Sequence, residues 1–193
     1  MYRNPIDPTS WPDKMFWGGV VRRFFIGIFT TLAIFVAAFF AQPEERRERI
    51  LAYWGSLRID PGFRPDVLLG TPLSVQVHVA GVATALVVGL LIFALRKGSG
   101  LHRLLGWIWV IGMATAAVTS VVMIRDFGNG VSPLHIFTVI TVSSLLFGLL
   151  NIRRGNVRGH AGFMVGLFFG GLLIAGLFAF IPGRTMWQMF FGG

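Results

Sequence analysis

The chain has 193 residues, of which 54% are hydrophobic and only 13% charged, with a net charge of +9 and no cysteine. A soluble domain carries about a quarter charged residues, so this composition points to an integral membrane protein. The missing cysteines exclude disulfides, thiolate chemistry, iron–sulfur clusters and covalent attachment of a c-type haem, and the positive charge lies in loops too short to form a nucleic-acid-binding domain.

Residues 1–23 mix Trp11, Phe16 and Trp17 with prolines and scattered charges. This suits an interfacial, cytoplasmic segment at headgroup level, or one that docks on a partner subunit. The first uncharged run, residues 24–41, is long enough to span and ends in Gln42-Pro43-Glu44-Glu45 rather than in a small-residue cleavage site, so it reads as a retained transmembrane helix and not as a signal peptide. In the loop 42–66, Pro43 followed by two acids opens a helix. Ile50, Leu51, Trp54 and Leu57 then recur at helical spacing behind the charges of 46–49, which predicts an amphipathic helix over about residues 43–57 on the outer surface. Asp60-Pro61-Gly62 and Arg64-Pro65-Asp66 break it.

Four further uncharged runs follow at 67–95, 104–124, 127–152 and 159–183, each near or above the roughly 18 residues that a spanning helix needs. The stretch Leu86-Val87-Val88-Gly89-Leu90-Leu91 does not alternate, which argues against a β-barrel. The expected fold is an all-α membrane protein with five transmembrane helices and an outer tail at 184–193. The last four helices, within 67–183, form an antiparallel four-helix bundle. The short loops of one side hold Arg96, Lys97, Arg103, Arg153, Arg154 and Arg158, against Arg125 alone on the other. The positive-inside rule then places the N-terminus in the cytoplasm and the C-terminus in the periplasm of a bacterial inner membrane.

Those four helices form an internal repeat. His78 leads through an apolar run to the turn Arg96-Lys97-Gly98-Ser99 and then His102, while His135 leads to Arg153-Arg154-Gly155-Asn156 and then His160. The separations, 24 and 25 residues, differ by one. From His78 the helix rises roughly 25 Å before its turn. His78 and His135 therefore lie near one membrane face, and His102 and His160 near the other.

A bis-histidine haem b needs two imidazoles at equal depth on facing helices and a slot for the porphyrin. The slot asks for small residues. His78, Gly81, Ala85 and Gly89 share one face of the second span, and His102 is followed by Gly106, Gly112, Ala116 and Ser120. Arg103, with Arg96, Lys97, Arg153, Arg154 and Arg158, supplies cations for the propionates of the inner pair, and Arg125 does so for the outer pair. Any single histidine at a helix end is more simply a capping or snorkelling group, and small-residue faces are commonly packing seams. Four histidines in two matched pairs carry the haem reading. Gly162, Gly166 and Gly170 lie on a different face from His160 and are read as a contact with a neighbouring helix. No carboxylate lies within any run, which leaves a proton or ion relay without residues. Ser143 and Ser144 bond their own backbone, and Met113, Met123 and Met164 read as core filler.

Leu101-His102-Arg103-Leu104-Leu105-Gly106, Ser132-Pro133-Leu134-His135 and Arg153-Arg154-Gly155 leading to His160 and Met164 resemble the DUF2306 family of bacterial multi-helix membrane proteins over about residues 71–180. That resemblance implies topology but no activity. Where family members carry His-Arg followed by Trp-Met, this chain has His160-Ala161-Gly162-Phe163-Met164. The architecture is also similar to cytochrome b561-type proteins, which implies two haems b, with His78 paired to His135 and His102 to His160. The expected function is transmembrane electron transfer by a b-type cytochrome, an oxidoreductase in the broad sense, with quinone or the subunits of a larger complex as partners. The alternative is a non-catalytic accessory subunit of a respiratory or photosynthetic complex, binding chlorophyll-type pigment through single histidines or no cofactor.

Overall fold

Prolines set the N-terminal ends of the early helices, because their ring holds φ near the helical value and their missing N–H is not needed there. The computed structural model describes residues 41–127 and 136–192, together with single helical positions at 19, 22, 25, 26, 29, 33, 36, 37 and 40. Side chains are described for all of these except 124–127 and 136. Pro43 precedes α1 (Glu44–Ser56), Pro65 opens the short α2 (Pro65–Leu69), and Pro72 precedes α3 (Leu73–Ala94). Among the described residues every element is helical, and the one isolated bridge, Ile59 with Gly192, forms no strand.

The rest of the chain runs through α4 (Gly100–Phe127), α5 (Ile136–Arg153) and α6 (Val157–Gly166). It continues without interruption as a π-helical segment, Leu167–Ile174, and as α7 (Ala175–Phe178). After a turn, α8 (Thr185–Phe191) closes the chain. Leu73–Ala94, Gly100–Met123 and Val157–Phe178 are long and apolar enough to cross a membrane, and Phe137–Arg153 is a shorter apolar helix. Only 17%, 28% and 33% of the three long segments is buried. Ile111, Val118, Val139 and Leu177 point outwards with more than three-fifths of their surface exposed. An apolar surface of that extent has lipid as its solvent.

The run at 67–95 is not one helix. Pro72 disfavours helical geometry in the residue before it, so the chain stops at Leu69 and restarts at Leu73, with the Thr71 hydroxyl bonded to the Leu68 carbonyl at 2.7 Å. The run at 159–183 likewise ends at Phe178, before Pro182 and Gly183, the latter at φ +88°. The tail then folds back. Main-chain N–H groups of Asp60, Gly62 and Arg64 donate to Phe191, Phe190 and Met189 at 3.2, 3.0 and 2.9 Å, strapping α8 to the loop behind α1. All of α1 is free of burial, with Leu51, Tyr53 and Trp54 at least half exposed.

Helix α3 packs on α4, α4 on α5, and α5 on α6 and the π-helical segment, which in turn touches α3. The α3–α4 seam is made by glycine. A Cβ on Gly81 would stand 3.0 Å from the Gly112 carbonyl oxygen, and one on Gly112 would stand 3.0 Å from that of Gly81. Ala85, Trp109, Met113, Leu145, Leu167, Phe168 and Leu172 form the core at mid-height. The small-residue face of α3 thus serves helix packing. On the face of Gly162, Gly166 and Gly170 a Cβ would meet nothing within 4 Å among the described residues, while α6 and its continuation turn Val157, Ala161, Val165 and Phe168 inwards.

Candidate functional site

Two cavities lie on either side of that core. The basic-end cavity, about 310 Å³, is lined from all four long helices and includes Lys97, His102, Arg103, Trp109, His160 and Phe168. The tail-end cavity, about 780 Å³, includes His78, Met113, Ser120, Thr138, Thr141 and Arg184. Phe168 faces the first, while Gly171 and Leu172, one turn on in the π-helical segment, face the second. Such π-helical insertions are frequent at functional sites.

The two turns of the repeat position the basic-end histidines. Gly98 and Gly155 take φ of 76° and 75°, a left-handed geometry that a Cβ disfavours. Ser99 and Asn156 then cap the helices that follow: Ser99 Oγ accepts from the His102 N–H at 3.1 Å, and Asn156 Oδ1 from the Gly159 N–H at 2.9 Å. The capped residue is His102 in one turn and the residue before His160 in the other. The one-residue difference in the repeat therefore rotates the second histidine by about 100° about its helix. Both imidazoles still line the same cavity.

Two of the histidines are oriented by backbone carbonyls. His78 Nδ1 lies 2.9 Å from the Ala116 carbonyl oxygen and 3.2 Å from Thr119 Oγ1, and His160 Nδ1 lies 3.0 Å from the Gly148 carbonyl oxygen. A carbonyl only accepts, so Nδ1 carries the proton in each ring and Nε2 keeps its lone pair. A metal-ligating histidine is usually held in this way. Gly148 matters twice here, since a Cβ on it would overlap the tip of Met164. His135 and the Arg125 side chain lie outside the described residues.

Of the six cations expected around the basic-end pair, only Lys97 and Arg103 line the cavity. Arg96, Arg153, Arg154 and Arg158 are exposed, because the tight turns aim them away from the helix axes. Lys97 is already engaged: its Nζ donates to the Ile92 and Phe93 carbonyls at 2.6 and 3.0 Å, closing the C-terminus of α3. Partial burial pulls its ammonium below the ordinary lysine range. Arg103, itself exposed, is the other cation that lines the cavity.

Sequence reasoning passed over Trp109, Thr138 and Thr141. Trp109 is buried, and its indole N–H has no hydrogen-bond partner among the described residues. Trp109 and Phe168 both reach the space beside Gly89, where a Cβ would stand 2.9 Å from the indole nitrogen and 2.5 Å from the phenyl ring. The signal that could have found this contact is Gly89 itself, whose missing side chain admits two rings. Among the described residues, no group of three or more histidines and carboxylates converges as a bare metal site would require.

No curated protein and no solved structure matches the chain. A family model described as a predicted membrane protein, DUF2306, matches residues 75–186, more than half of the sequence and the part that contains both cavities. With its apolar helices and lipid-suited surface, the chain is a multi-pass membrane protein and belongs to the DUF2306 family.

Proposed function

We propose that this protein is a di-haem b-type electron-transfer protein of the bacterial inner membrane. Its five spans, counting residues 24–41, put the basic turns and the N-terminus in the cytoplasm and the C-terminus in the periplasm. The last four spans form the antiparallel bundle that holds the cofactors. His102 and His160 ligate one haem at the basic end, and His78 and His135 the other at the tail end. The observation that carries this reading is that His102 and His160, from different helices, line one cavity, at whose edge the exposed Arg103 lies.

The chemistry of the donors present suits the group. Each haem iron asks for two neutral imidazole nitrogens, and the carbonyl contacts of His78 and His160 leave Nε2 for that purpose. Arg103 suits a propionate. Both cavities fall in the roughly 300–1,000 Å³ range of ligand pockets. When bound, the haems supply one-electron chemistry at each face, and the chain's part is to orient the imidazoles and keep water out of the core around Trp109 and Phe168. Electron partners come from the membrane: a quinone, or subunits of a larger complex.

Haem quantification on the purified protein tests the proposal. Two non-covalent haems b per chain are expected. A cofactor-free protein that co-purifies with a large complex would instead support an accessory subunit.

A further inference from the structure

The two cavities offer different chemistry. The basic-end cavity combines an apolar interior with two cations and no hydroxyl-bearing side chain among its described lining residues. The tail-end cavity, more than twice as large, has hydroxyls at Ser120, Thr138, Thr141 and Thr185, a single cation at Arg184, and no carboxylate among its described lining residues. Ser120 Oγ and Thr138 Oγ1 lie 2.5 Å apart and join α4 to α5. Thr141, about one turn further along α5, is buried. Its Oγ1 would be 3.5 Å from a Cβ on Gly171, a place that the Leu167 side chain already fills. Gly171 and Ala175, four residues apart, both line the cavity and present little side chain to it.

A hydroxyl group both donates and accepts. A cluster of them between apolar walls suits a neutral ring whose oxygens alternate between carbonyl and hydroxyl, because the same side chains bond both forms without moving a charge into the membrane. Anionic amphiphiles suit the basic-end cavity better. We propose that the part of the tail-end cavity lined by Ser120, Thr138 and Thr141, beside the haem that His78 would hold, is a binding site for a lipid-soluble quinone and its quinol. The ring lies along the Gly171–Ala175 wall, with its oxygens bonded to the Ser120–Thr138 pair and to Thr141. This inference rests on the electron-transfer reading for its purpose, since it names the carrier, while the binding itself requires no haem.

The test is a titration of the purified full chain in detergent with a short-chain benzoquinone, and separately with its quinol, read by quenching of tryptophan fluorescence. Saturable binding of both forms is expected. Ser120→Ala, Thr138→Val and Thr141→Val should each weaken it tenfold or more. Ser143→Ala should bind as the parent does, because Ser143 donates to the Val139 carbonyl at 2.7 Å and is not among the residues lining the cavity. Palmitate should not compete. The hydroxyl variants lie on two helices, and size-exclusion elution identifies any that misfolds, so the others still decide. Absence of saturation, parent-like binding by the folded hydroxyl variants, or displacement by palmitate would overturn the proposal. The reduced spectrum of the same samples keeps the two readings apart. A b-type band without quinone binding overturns the quinone site alone, and hydroxyl-dependent quinone binding without a b-type band overturns the haem reading alone.

Discussion

His78 and Ala116 are tied across the α3–α4 seam, with imidazole Nδ1 2.9 Å from the Ala116 carbonyl oxygen. The bond fixes which ring nitrogen is left for a ligand, and it does so 38 residues apart in sequence. His78→Leu keeps an apolar side chain at the seam but removes both functions. It should lower stability by about 1 kcal/mol, the net worth of one such hydrogen bond, and abolish the tail-end haem while sparing the basic-end one. Thermal unfolding in detergent and haem content per chain measure the two effects.

The glycine contact between α3 and α4 has no slack. Gly81→Val or Gly112→Val places carbon against the opposing carbonyl and should destabilise by roughly 1–3 kcal/mol through overpacking. Since both substitutions open the same seam, the double variant should lose less than the sum of the two. Denaturant or thermal melts of the four proteins in one detergent give the coupling.

Gly89→Ala tests the partition between the cavities. Its Cβ would strike the Phe168 ring and the Trp109 indole, both of which line the basic-end cavity. The expected outcome is a loss of roughly 1–3 kcal/mol with selective loss of basic-end haem. Equal loss of both haems would mean that the two sites are not separately walled.

Arg103→Gln should shift the basic-end haem to lower potential, by on the order of 60 mV for a tenfold change in a one-electron equilibrium, because a propionate charge left uncompensated favours ferric iron. Arg153→Gln and Arg154→Gln, neither of which lines the cavity, should leave the potential within error. Redox titration of the α-band decides between the cavity arginine and the surface ones.

Periodicity and punctuation made the helices legible. Where the residues are described, the uncharged runs from 67 onward are largely helical, and the two basic glycine turns appear as matching left-handed glycines, each followed by a capping side chain, Ser99 or Asn156. That Ser143 would bond its own backbone also follows from helical spacing, and it does so through the Val139 carbonyl. Less legible was which polar group faces which neighbour. The six turn cations look alike in sequence, but only backbone direction after each turn decides that Arg103 lines a cavity while Arg153 and Arg154 do not. The stripe Gly162, Gly166 and Gly170 has the spacing of a packing face, yet among the described residues it is Val157, Ala161 and Val165 that are buried. The π-helical segment and the strap between residues 60–64 and 189–191 depend on tertiary pairing that no local pattern announces.

The central claim is that His102 and His160 hold a haem between them. The reduced-minus-oxidised spectrum of the purified protein, beside those of His102→Ala and His160→Ala, tests it most directly. A b-type α-band is expected in the parent and the same partial loss of it in either variant, with the remaining signal belonging to the tail-end haem. A parent spectrum without that band, or variants that retain it in full, would mean that these two histidines hold no haem.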